Sequence, residues 1–535
     1  MSKASTRSTS TGKSSVGSRS FQRRRETKQT RLSQRRATRR RALVRTGATI
    51  DLRDLLLRVP VAAWMCALVA LLNGAAWSII TPPFQGRDEP AHFAYVQQLA
   101  ETGTLPHESV EHQGFSPEET RVLEGLHQEE IKLSPEIPAI SSTAEQRTLD
   151  QDVNENLSAL GSGEAGVATA EPPLYYALET VPYALGAGNI LTQLELMRLT
   201  GALLAAITTL LVFFFLREIL PRAPWACTIA TACIAIQPLF GFMSGTLNPD
   251  NMLYTVSAAV FLCLARAFRR ELSIRLAILT GVLIAAGFIT KLNFIGLAAG
   301  VFLGLGLLGV REVRSRGRNA ARAPAIAAGI GASPVALYLV VNSLSNHPAL
   351  GSVVSDLSTL TNKGAFHEIS YIWQLYLPRL PGMTHYFAGI GTFRDIWFDR
   401  FVGLYGWLDT EFPNWVDNLA LIPAIAVAAL CFKTLVVSRH ALRERLGELV
   451  TYASMSIGVL VMVGVASYAS HNANGVGAFD DPRYLLPMLP LLGAVLVLAA
   501  RGAGRWASTT AAAILIIFFA HDIFSQLQVI ARYYG

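Results

Sequence analysis

The chain has 535 residues, of which 51% are apolar and 16% are charged, and its mean hydropathy is +0.36. Soluble domains usually carry about 25% charged residues, so this composition argues against a soluble enzyme and excludes a disordered protein or a disulfide scaffold. The net charge of +8 is unevenly placed, because residues 1–58 hold 17 Lys and Arg against three acidic residues, whereas the rest of the chain is acidic.

The first predicted region is a tail over residues 1–58 that is rich in Ser, Thr and Arg. It lacks the apolar core of a cleavable signal peptide. We expect a disordered cytoplasmic tail that anchors the topology. The alternative is that its arginine clusters bind anionic lipid or nucleic acid. We expect no nucleic-acid partner for the protein as a whole.

The rest of the chain, residues 59–535, is predicted to be an all-α polytopic membrane domain. A helix needs about 20 apolar residues to cross a bilayer. Eleven stretches qualify: 61–81, 198–216, 224–244, 250–267, 272–289, 292–310, 323–342, 418–437, 449–468, 484–500 and 506–526. A twelfth stretch, 172–190, is interrupted by prolines and a glutamate. All five cysteines lie within apolar runs, which favours small buried residues over disulfides or a metal site.

The distribution of charge predicts the orientation. If 172–190 does not span and the N-terminus is cytoplasmic, 34 of the 46 Lys and Arg lie inside, and the outer side holds 12 basic and 30 acidic residues. This is a strong positive-inside pattern. We therefore predict a plasma-membrane protein with a cytoplasmic N-terminus and an outer C-terminus. The stretch 172–190 is then a helix that lies at the outer surface or dips into it, and two long outer loops cover about 82–197 and 343–417.

Asp88-Glu89-Pro90 directly follows the first span and is the first candidate site. Adjacent carboxylates at a membrane surface are costly unless they are solvated, paired or bound to a cation. One carboxylate suits a general base and its neighbour suits a divalent ion or the orientation of an acceptor. The alternative is a solvated helix cap followed by proline in the first turn.

Later motifs fall in the predicted outer loops and turns. Glu171-Pro172-Pro173-Leu174-Tyr175-Tyr176 is interpreted mainly as an interfacial anchor, because tyrosines suit the headgroup layer. Asp250 lies in an Asn-Pro-Asp turn, for which a turn-and-cap role is sufficient. Lys291 is one of few outer cations, suited to phosphate or to snorkelling. Arg483 offers a planar fork for phosphate, and its alternative is a structural pair with Asp481.

The chain has no P-loop, dinucleotide-binding glycine pattern, HExxH or GxSxG, which argues against nucleotide hydrolysis. The order of the motifs that it does have resembles the GT-C superfamily of polytopic glycosyltransferases, which includes protein O-mannosyltransferases and lipid A aminoarabinose transferases. The shared features are the acidic pair after span 1, the Pro-Pro-Leu-Tyr-Tyr segment and Asp250. The chain is most similar to an uncharacterised bacterial membrane family of that superfamily, through the segments 88–93, 371–374, 377–381, 406–410 and 483–487.

This resemblance implies inverting transfer of a sugar from a polyprenyl phosphate to a glycan, lipid or protein of the cell envelope. Asp88 would be the general base, a role that Glu89 could share. The charges of Lys291 and Arg483 make them candidates for the donor phosphate. The further substrate-binding candidates are His92, Tyr175, Tyr176, Asp250, Trp407, Asp409 and Tyr484. Superfamily members differ in their need for a divalent metal. If this chain needs Mg or Mn, the candidate ligands are Asp88, Glu89 and Asp250.

Two alternatives to an enzyme are carried forward. A transporter or flippase for lipid-linked saccharides should place ionisable residues along a path through its spans, whereas here charge gathers at the outer face. A non-catalytic assembly partner in envelope synthesis would tolerate the loss of Asp88. The identity of the sugar and of the acceptor is open.

Overall fold

The computed structural model describes residues 59–535 except 108–113, 156, 162, 164, 187, 345–364, 388–390 and 475–480. The predicted cytoplasmic tail, 1–58, lies outside the described residues. The described elements belong to one compact unit, Val61–Gly535. This unit is an all-α polytopic membrane fold, as the sequence predicts.

The elements follow one another along the chain as helices joined by short turns. The first ten helices are α1 (Val61–Ile80), α2 (Glu89–Thr102), α3 (Pro117–Gly125), α4 (Gln128–Ile131), α5 (Thr143–Asn154), α6 (Leu174–Leu185), α7 (Ile190–Ile219), α8 (Pro224–Ala235), α9 (Pro238–Ser244) and α10 (Asp250–Arg269). The next helices are α11 (Ile274–Thr290), α12 (Phe294–Arg316), α13 (Arg322–Leu344), α14 (Ala365–Tyr376), α15 (Arg400–Gly403), α16 (Asn414–Val437), α17 (Arg439–Arg443), α18 (Leu446–Asn474), α19 (Leu489–Gly502) and α20 (Ala507–Tyr534). The two short strands β1 (Leu404–Tyr405) and β2 (Thr410–Glu411) pair antiparallel.

The eleven predicted spans all correspond to apolar helices. Within the described residues, nine helices are long and apolar enough to cross a membrane: α1, α7, α10, α12, α13, α16, α18, α19 and α20, some of them extended by a preceding 3-10 turn. The predicted span 272–289 forms the shorter helix α11, and the predicted span 224–244 forms the bent pair α8 and α9. The twelfth stretch gives only α6, whose 12 residues are too few to cross a bilayer.

The predicted span 224–244 is not one straight helix. The chain bends by 55° between α8 and α9. The bend has a local cause, because Pro238 has no backbone N–H for a continuing helix and the Gln237 side chain accepts a hydrogen bond from the N–H of Phe240. A new helix therefore begins at Pro238.

Close helix packing holds the second half of the bundle together. Gly296, Gly300 and Gly304 recur every four residues on α12 and face α18, where a Cβ at Gly304 would lie 2.6 Å from the Cγ2 of Thr451. Small residues at this spacing let two membrane helices approach until their backbones touch, which maximises van der Waals contact. Substitution of these glycines would force α12 and α18 apart.

Alternating helix directions give the bundle two ends, each marked by ion pairs. At the Asp88 end, α1 finishes and α10 and α12 begin, and Arg198 near the start of α7 pairs with Glu89. At the Arg269 end, α10 finishes and α18 begins, and Arg269 pairs with Glu448. The C-terminus contacts both long loops, since the N–H of Ala139 donates to the Tyr533 carbonyl and Arg532 pairs with Asp409. The assignment of the Asp88 end to the outer side stays a charge-based prediction.

Candidate functional site

The turn that follows α1 holds Asp88 in an unusual backbone conformation. Phe84 and Asp88 have φ angles of 60° and 61°, in the left-handed region that side chains disfavour. Asp88 immediately precedes α2, yet its side chain makes no capping hydrogen bond to that helix. The helix-cap alternative is therefore wrong for the Asp88 carboxylate, and the strained turn directs this side chain elsewhere.

The neighbouring Glu89 is fully buried and bound on all sides. Its carboxylate forms a bidentate pair with Arg198, at 2.8 Å from Nε and 2.5 Å from Nη2. It also accepts hydrogen bonds from the N–H groups of Gly86 and Leu247, at 3.2 and 2.9 Å. This carboxylate has no accepting position left for a substrate, which separates Glu89 from Asp88 in role.

Arg198 is the residue that sequence reasoning missed. It lies on α7 with 3% of its surface exposed, and its remaining N–H groups donate to the carbonyls of Ser78, Thr81 and Pro82 at 2.8 to 3.1 Å. In the sequence Arg198 stands at the boundary of the apolar run 198–216, a position typical of the end of a span. An arginine inside a membrane helix is costly unless it is paired, and that rule was the available signal.

Asp88 belongs to a continuous chain of ion pairs drawn from five separate parts of the sequence. Arg483 Nη2 lies 3.0 Å from Asp88 Oδ2, and Arg483 Nε lies 4.0 Å from Asp250. Asp250 lies 2.9 Å from Lys291 Nζ, which in turn lies 3.9 Å from Glu171. These five residues are called the charge cluster below.

Two flanking residues complete the surroundings of Arg483. Asp481 lies 3.3 Å from Arg483 Nε, accepts a hydrogen bond from the Arg483 N–H and also lies 2.6 Å from Arg87 Nη1. The hydroxyl of Tyr484 accepts from Arg483 Nη2 at 3.2 Å. The structural pair of Asp481 with Arg483 is thus present, and Arg483 faces Asp88 in addition.

The charge cluster has an open mouth and a closed floor. The side chains of Asp88 and Glu171 are 25% and 21% exposed, whereas those of Asp250, Lys291 and Arg483 are 1%, 6% and 5% exposed. A molecule arriving from the loop side would therefore meet the two carboxylates first, with the cations behind them.

The surroundings shift the pKa of Asp88, Lys291 and Glu171 in different ways. Burial alone would raise the pKa of Asp88, but Arg483 and Arg87 outweigh it and lower this pKa from 3.8 to about 2. Burial alone would lower the pKa of Lys291, but the carboxylates of Asp250 and Glu171 outweigh it and raise this pKa. Burial raises the pKa of Glu171 despite Lys291 nearby. Asp88 is thus fully ionised at neutral pH.

Several buried polar atoms of the cluster have no hydrogen-bond partner in the part of the chain that the structure describes. The cluster atoms are Arg483 Nε and Nη1, Asp250 Oδ2 and Glu171 Oε2, and the adjacent turns add Asn248 Nδ2 and Asn293 Nδ2. Buried polar groups are normally satisfied, and each exception calls for a ligand or water. The set mixes donors and acceptors, so it suits a hydroxyl-rich or phosphate-bearing ligand.

The two tyrosines of the Pro-Pro-Leu-Tyr-Tyr segment lie inside the protein. Tyr175 and Tyr176 are both fully buried, so their interpretation as interfacial anchors is wrong. The hydroxyl of Tyr176 lies 2.9 Å from Nδ1 of His92, and the hydroxyl of Tyr175 accepts from the N–H of Asn248. Because burial lowers the pKa of His92 to about 3, this imidazole is neutral. These aromatic residues support the loops behind the cluster.

The Gly-Trp-Leu-Asp motif forms the turn between β1 and β2, apart from the charge cluster. Asp409 pairs with Arg532 at 2.9 Å, and the Lys132 ammonium lies 4.3 Å from the ring centre of Trp407. These contacts join the second long loop to the first loop and to the C-terminal helix. The structure therefore gives Trp407 and Asp409 a bracing position, whereas it brings Asp88, Asp250, Lys291, Arg483 and Tyr484 together.

The carboxylates do not fit a divalent cation. Among the described residues, no group of three His, Cys, Asp or Glu side chains is arranged to hold a metal. Glu89 is saturated by hydrogen-bond donors, and Asp88 and Asp250 already face Arg483 and Lys291. A cation placed between these carboxylates would be repelled by both basic groups.

Comparison with known proteins identifies a family. The family model described as "Predicted membrane protein (DUF2142)" matches residues 71–492, a range that contains the whole charge cluster. A search of curated proteins finds no match to the chain. The chain belongs to the DUF2142 family of membrane proteins.

Proposed function

We propose that this DUF2142 protein is a membrane glycosyltransferase of the GT-C type. It transfers a sugar from a polyprenyl phosphate to a glycan, lipid or protein acceptor at the outer face of the membrane, with inversion at the anomeric carbon. The observation that carries the proposal is the pairing of Asp88 with Arg483 at the mouth of the cluster, where Arg483 Nη1 is buried without a partner among the described residues.

Asp88 is the proposed general base. An acceptor hydroxyl is a weak nucleophile, and its proton passes to the Asp88 carboxylate as its oxygen bonds to the anomeric carbon. The bond from that carbon to the phosphate oxygen breaks, and the electron pair leaves with the polyprenyl phosphate. Attack from the face opposite the leaving group inverts the configuration. Proton acceptance by a positioned carboxylate typically contributes 10²–10⁴-fold.

Arg483 is the proposed phosphate-binding residue. Its Nη2 already donates to Asp88, whereas Nη1, which has no partner within the described ranges, offers a charge-assisted hydrogen bond to an anionic oxygen. A phosphate at Arg483 would offset the positive charge that lowers the pKa of Asp88. Asp88 would then become a stronger base when the donor is bound, which limits proton transfer to the loaded site.

Lys291, Asp250 and Glu171 are proposed to have supporting roles. The Lys291 charge is already matched by Asp250 at 2.9 Å and Glu171 at 3.9 Å, so it contributes less net attraction to phosphate than Arg483 does. Among the residues that the structure describes, one oxygen each of Asp250 and Glu171 has no partner, and such oxygens can accept hydrogen bonds from sugar hydroxyls. No step of the proposed reaction needs a metal.

The proposal is tested with purified protein and a panel of polyprenyl-phosphate hexoses and pentoses. The expected result is release of polyprenyl phosphate coupled to a new glycosidic bond on an envelope extract. In parallel, the same donors are placed in proteoliposomes and their movement between leaflets is followed. Movement without any transfer would favour the flippase alternative over the enzyme. The absence of both transfer and movement across the panel would refute the proposal.

A further inference from the structure

The pair of Glu89 and Arg198 links the two turns that carry Asp88 and Asp250, two of the three acidic residues of the cluster. Glu89 Oε2 accepts from the N–H of Gly86, in the turn that holds Asp88. Glu89 Oε1 accepts from the N–H of Leu247, three residues before Asp250. One carboxylate therefore fixes the distance between two turns that are about 160 residues apart in sequence.

Arg198 fixes the other side of the same turn. Its Nη1 donates to the carbonyls of Ser78 and Thr81, and its Nη2 donates to the carbonyl of Pro82. These carbonyls end α1 and open the turn that leads to Asp88. Together with the two contacts to Glu89, they use every N–H of the guanidinium group. Lysine has three rotating donors and no fixed fork, and could not replace this set.

Neither member of the pair can reach a substrate. The Arg198 side chain is 4% exposed and the Glu89 side chain is 0% exposed, and all accepting and donating positions of both are occupied inside the protein. Asp88, in contrast, adopts a disfavoured φ of 61° that a neighbouring structure must enforce. The pair lies next to that strained residue in sequence and in space.

We propose that Arg198 and Glu89 are positioning residues that hold the Asp88 turn in its left-handed conformation and in register with Asp250. This inference rests on the proposed function, since Asp88 is the group being positioned. It removes Glu89 from the candidates for the base and gives it a role that acts through Asp88. It also assigns a function to a membrane arginine outside all the sequence motifs.

The first test is Arg198→Lys, assayed with whichever polyprenyl-phosphate sugar the wild-type protein turns over. A misplacement of about 1 Å in a reacting group can cost about 10²-fold in rate. We expect kcat to fall about 10- to 100-fold while the donor KM stays within about twofold, because Arg483 is untouched. Hydrogen exchange should rise at the amides of Gly86 and Leu247. The matched control is Arg269→Lys, the same change in the partly buried pair with Glu448 at the opposite end, which should leave kcat unchanged.

The second test separates positioning from stability. Two variants are used. Glu89→Gln keeps the side-chain shape. The double variant, Arg198→Met with Glu89→Leu, removes both buried charges, so that neither is left unpaired. We expect the double variant to fold and to remain slow, because the turn has lost its hydrogen bonds. Wild-type kcat in the folded double variant, or in Arg198→Lys, would overturn the inference. If Asp88→Asn itself kept wild-type transfer, the proposed function would fail instead.

Discussion

The two ends of the helix bundle use the same ionic chemistry to different effect. At the Arg269 end, Arg269 binds Glu448 and Arg270 binds Glu218, and each pair joins the end of one helix to another. At the Asp88 end, Arg483 lies within 4.0 Å of Asp88, Asp250 and Asp481, and its Nη1 has no hydrogen-bond partner in the part of the chain that the structure describes. The Arg269 end also has one unpartnered buried atom among the described residues, Arg266 Nε.

The two ends differ in how much buried charge remains after the contacts between helices are taken into account. Pairs that are closed between two side chains tie helices together, as Arg269 with Glu448 and Arg270 with Glu218 do at the Arg269 end. The Asp88 end carries more buried charge than its helix contacts use, and a protein would not retain such groups without a compensating ligand or role. We therefore interpret the ion pairs of the Arg269 end as structural and the Asp88 end as the candidate functional site.

The topology prediction has an all-or-none outcome. A reporter fused after Tyr534, at the Asp88 end, should be active outside the cell, and one inserted at Arg316, at the Arg269 end, should be active in the cytoplasm. The reason is the excess of Lys and Arg in the loops of the Arg269 end. A cytoplasmic signal from the Tyr534 fusion would place the charge cluster on the wrong side of the membrane for an outer-face enzyme.

Arg483→Lys should give the largest change in donor use. The substitution keeps the positive charge but removes the planar fork that reaches Asp88 and a phosphate together. A charge-assisted hydrogen bond is worth about 1.5–3 kcal/mol, so the donor KM should rise about tenfold or more. Steady-state kinetics measures this effect, with Arg269→Lys as the comparison. Equal donor KM values in both variants would remove Arg483 from the phosphate site.

The pH dependence of transfer should show whether Arg483 controls the protonation of Asp88. Since Arg483 and Arg87 hold the pKa of Asp88 at about 2, its ionised form is stabilising above its ordinary pKa of 3.8, and that stability is lost as the pH falls towards 2. Wild-type kcat/KM should show no acid limb from Asp88 between about pH 4 and pH 8. In Arg483→Gln, burial is less opposed and raises this pKa, so kcat/KM should fall at the acid side of that range. Identical profiles would show that Arg483 does not control Asp88.

Metal removal should have the smallest effect. The carboxylates of the cluster face Arg483 and Lys291 rather than one another, which leaves no room for a divalent ion. Transfer by protein dialysed against EDTA should therefore equal transfer with added Mg²⁺ or Mn²⁺. A loss of activity that Mn²⁺ restores would require a metal-binding arrangement of Asp88 and Asp250 different from the one described.

Hydropathy predicted the spans well because the bilayer sets one length scale for all of them. It did not predict the break at Gln237, where a side-chain cap and one proline outweigh an otherwise apolar run. It also could not show that Tyr175 and Tyr176 are buried. A tyrosine beside a predicted membrane surface has the same sequence pattern whether it faces headgroups or packs against another loop.

The candidate site was predicted in part. Asp88, Asp250, Lys291 and Arg483 were recognised as rare charges in outer turns, and the structure brings them together. Arg198 was missed because its partner, Glu89, lies 109 residues earlier. Pairings at such separations depend on helix packing, which a single sequence does not encode locally. Glu171 was named only within a motif, and its proximity to Lys291 follows from the placement of the entire first loop.

The most direct test of the account is the single-turnover rate of sugar transfer by Asp88→Asn at saturating donor. Asparagine keeps the size of the side chain but cannot accept the acceptor proton as a base. The account predicts a fall of about 10²–10⁴-fold. Donor binding should be retained or strengthened, because Arg483 loses a competing anion. A rate close to that of the wild-type protein would contradict the assignment of Asp88 as the base and leave the Asp88 end without a catalytic role.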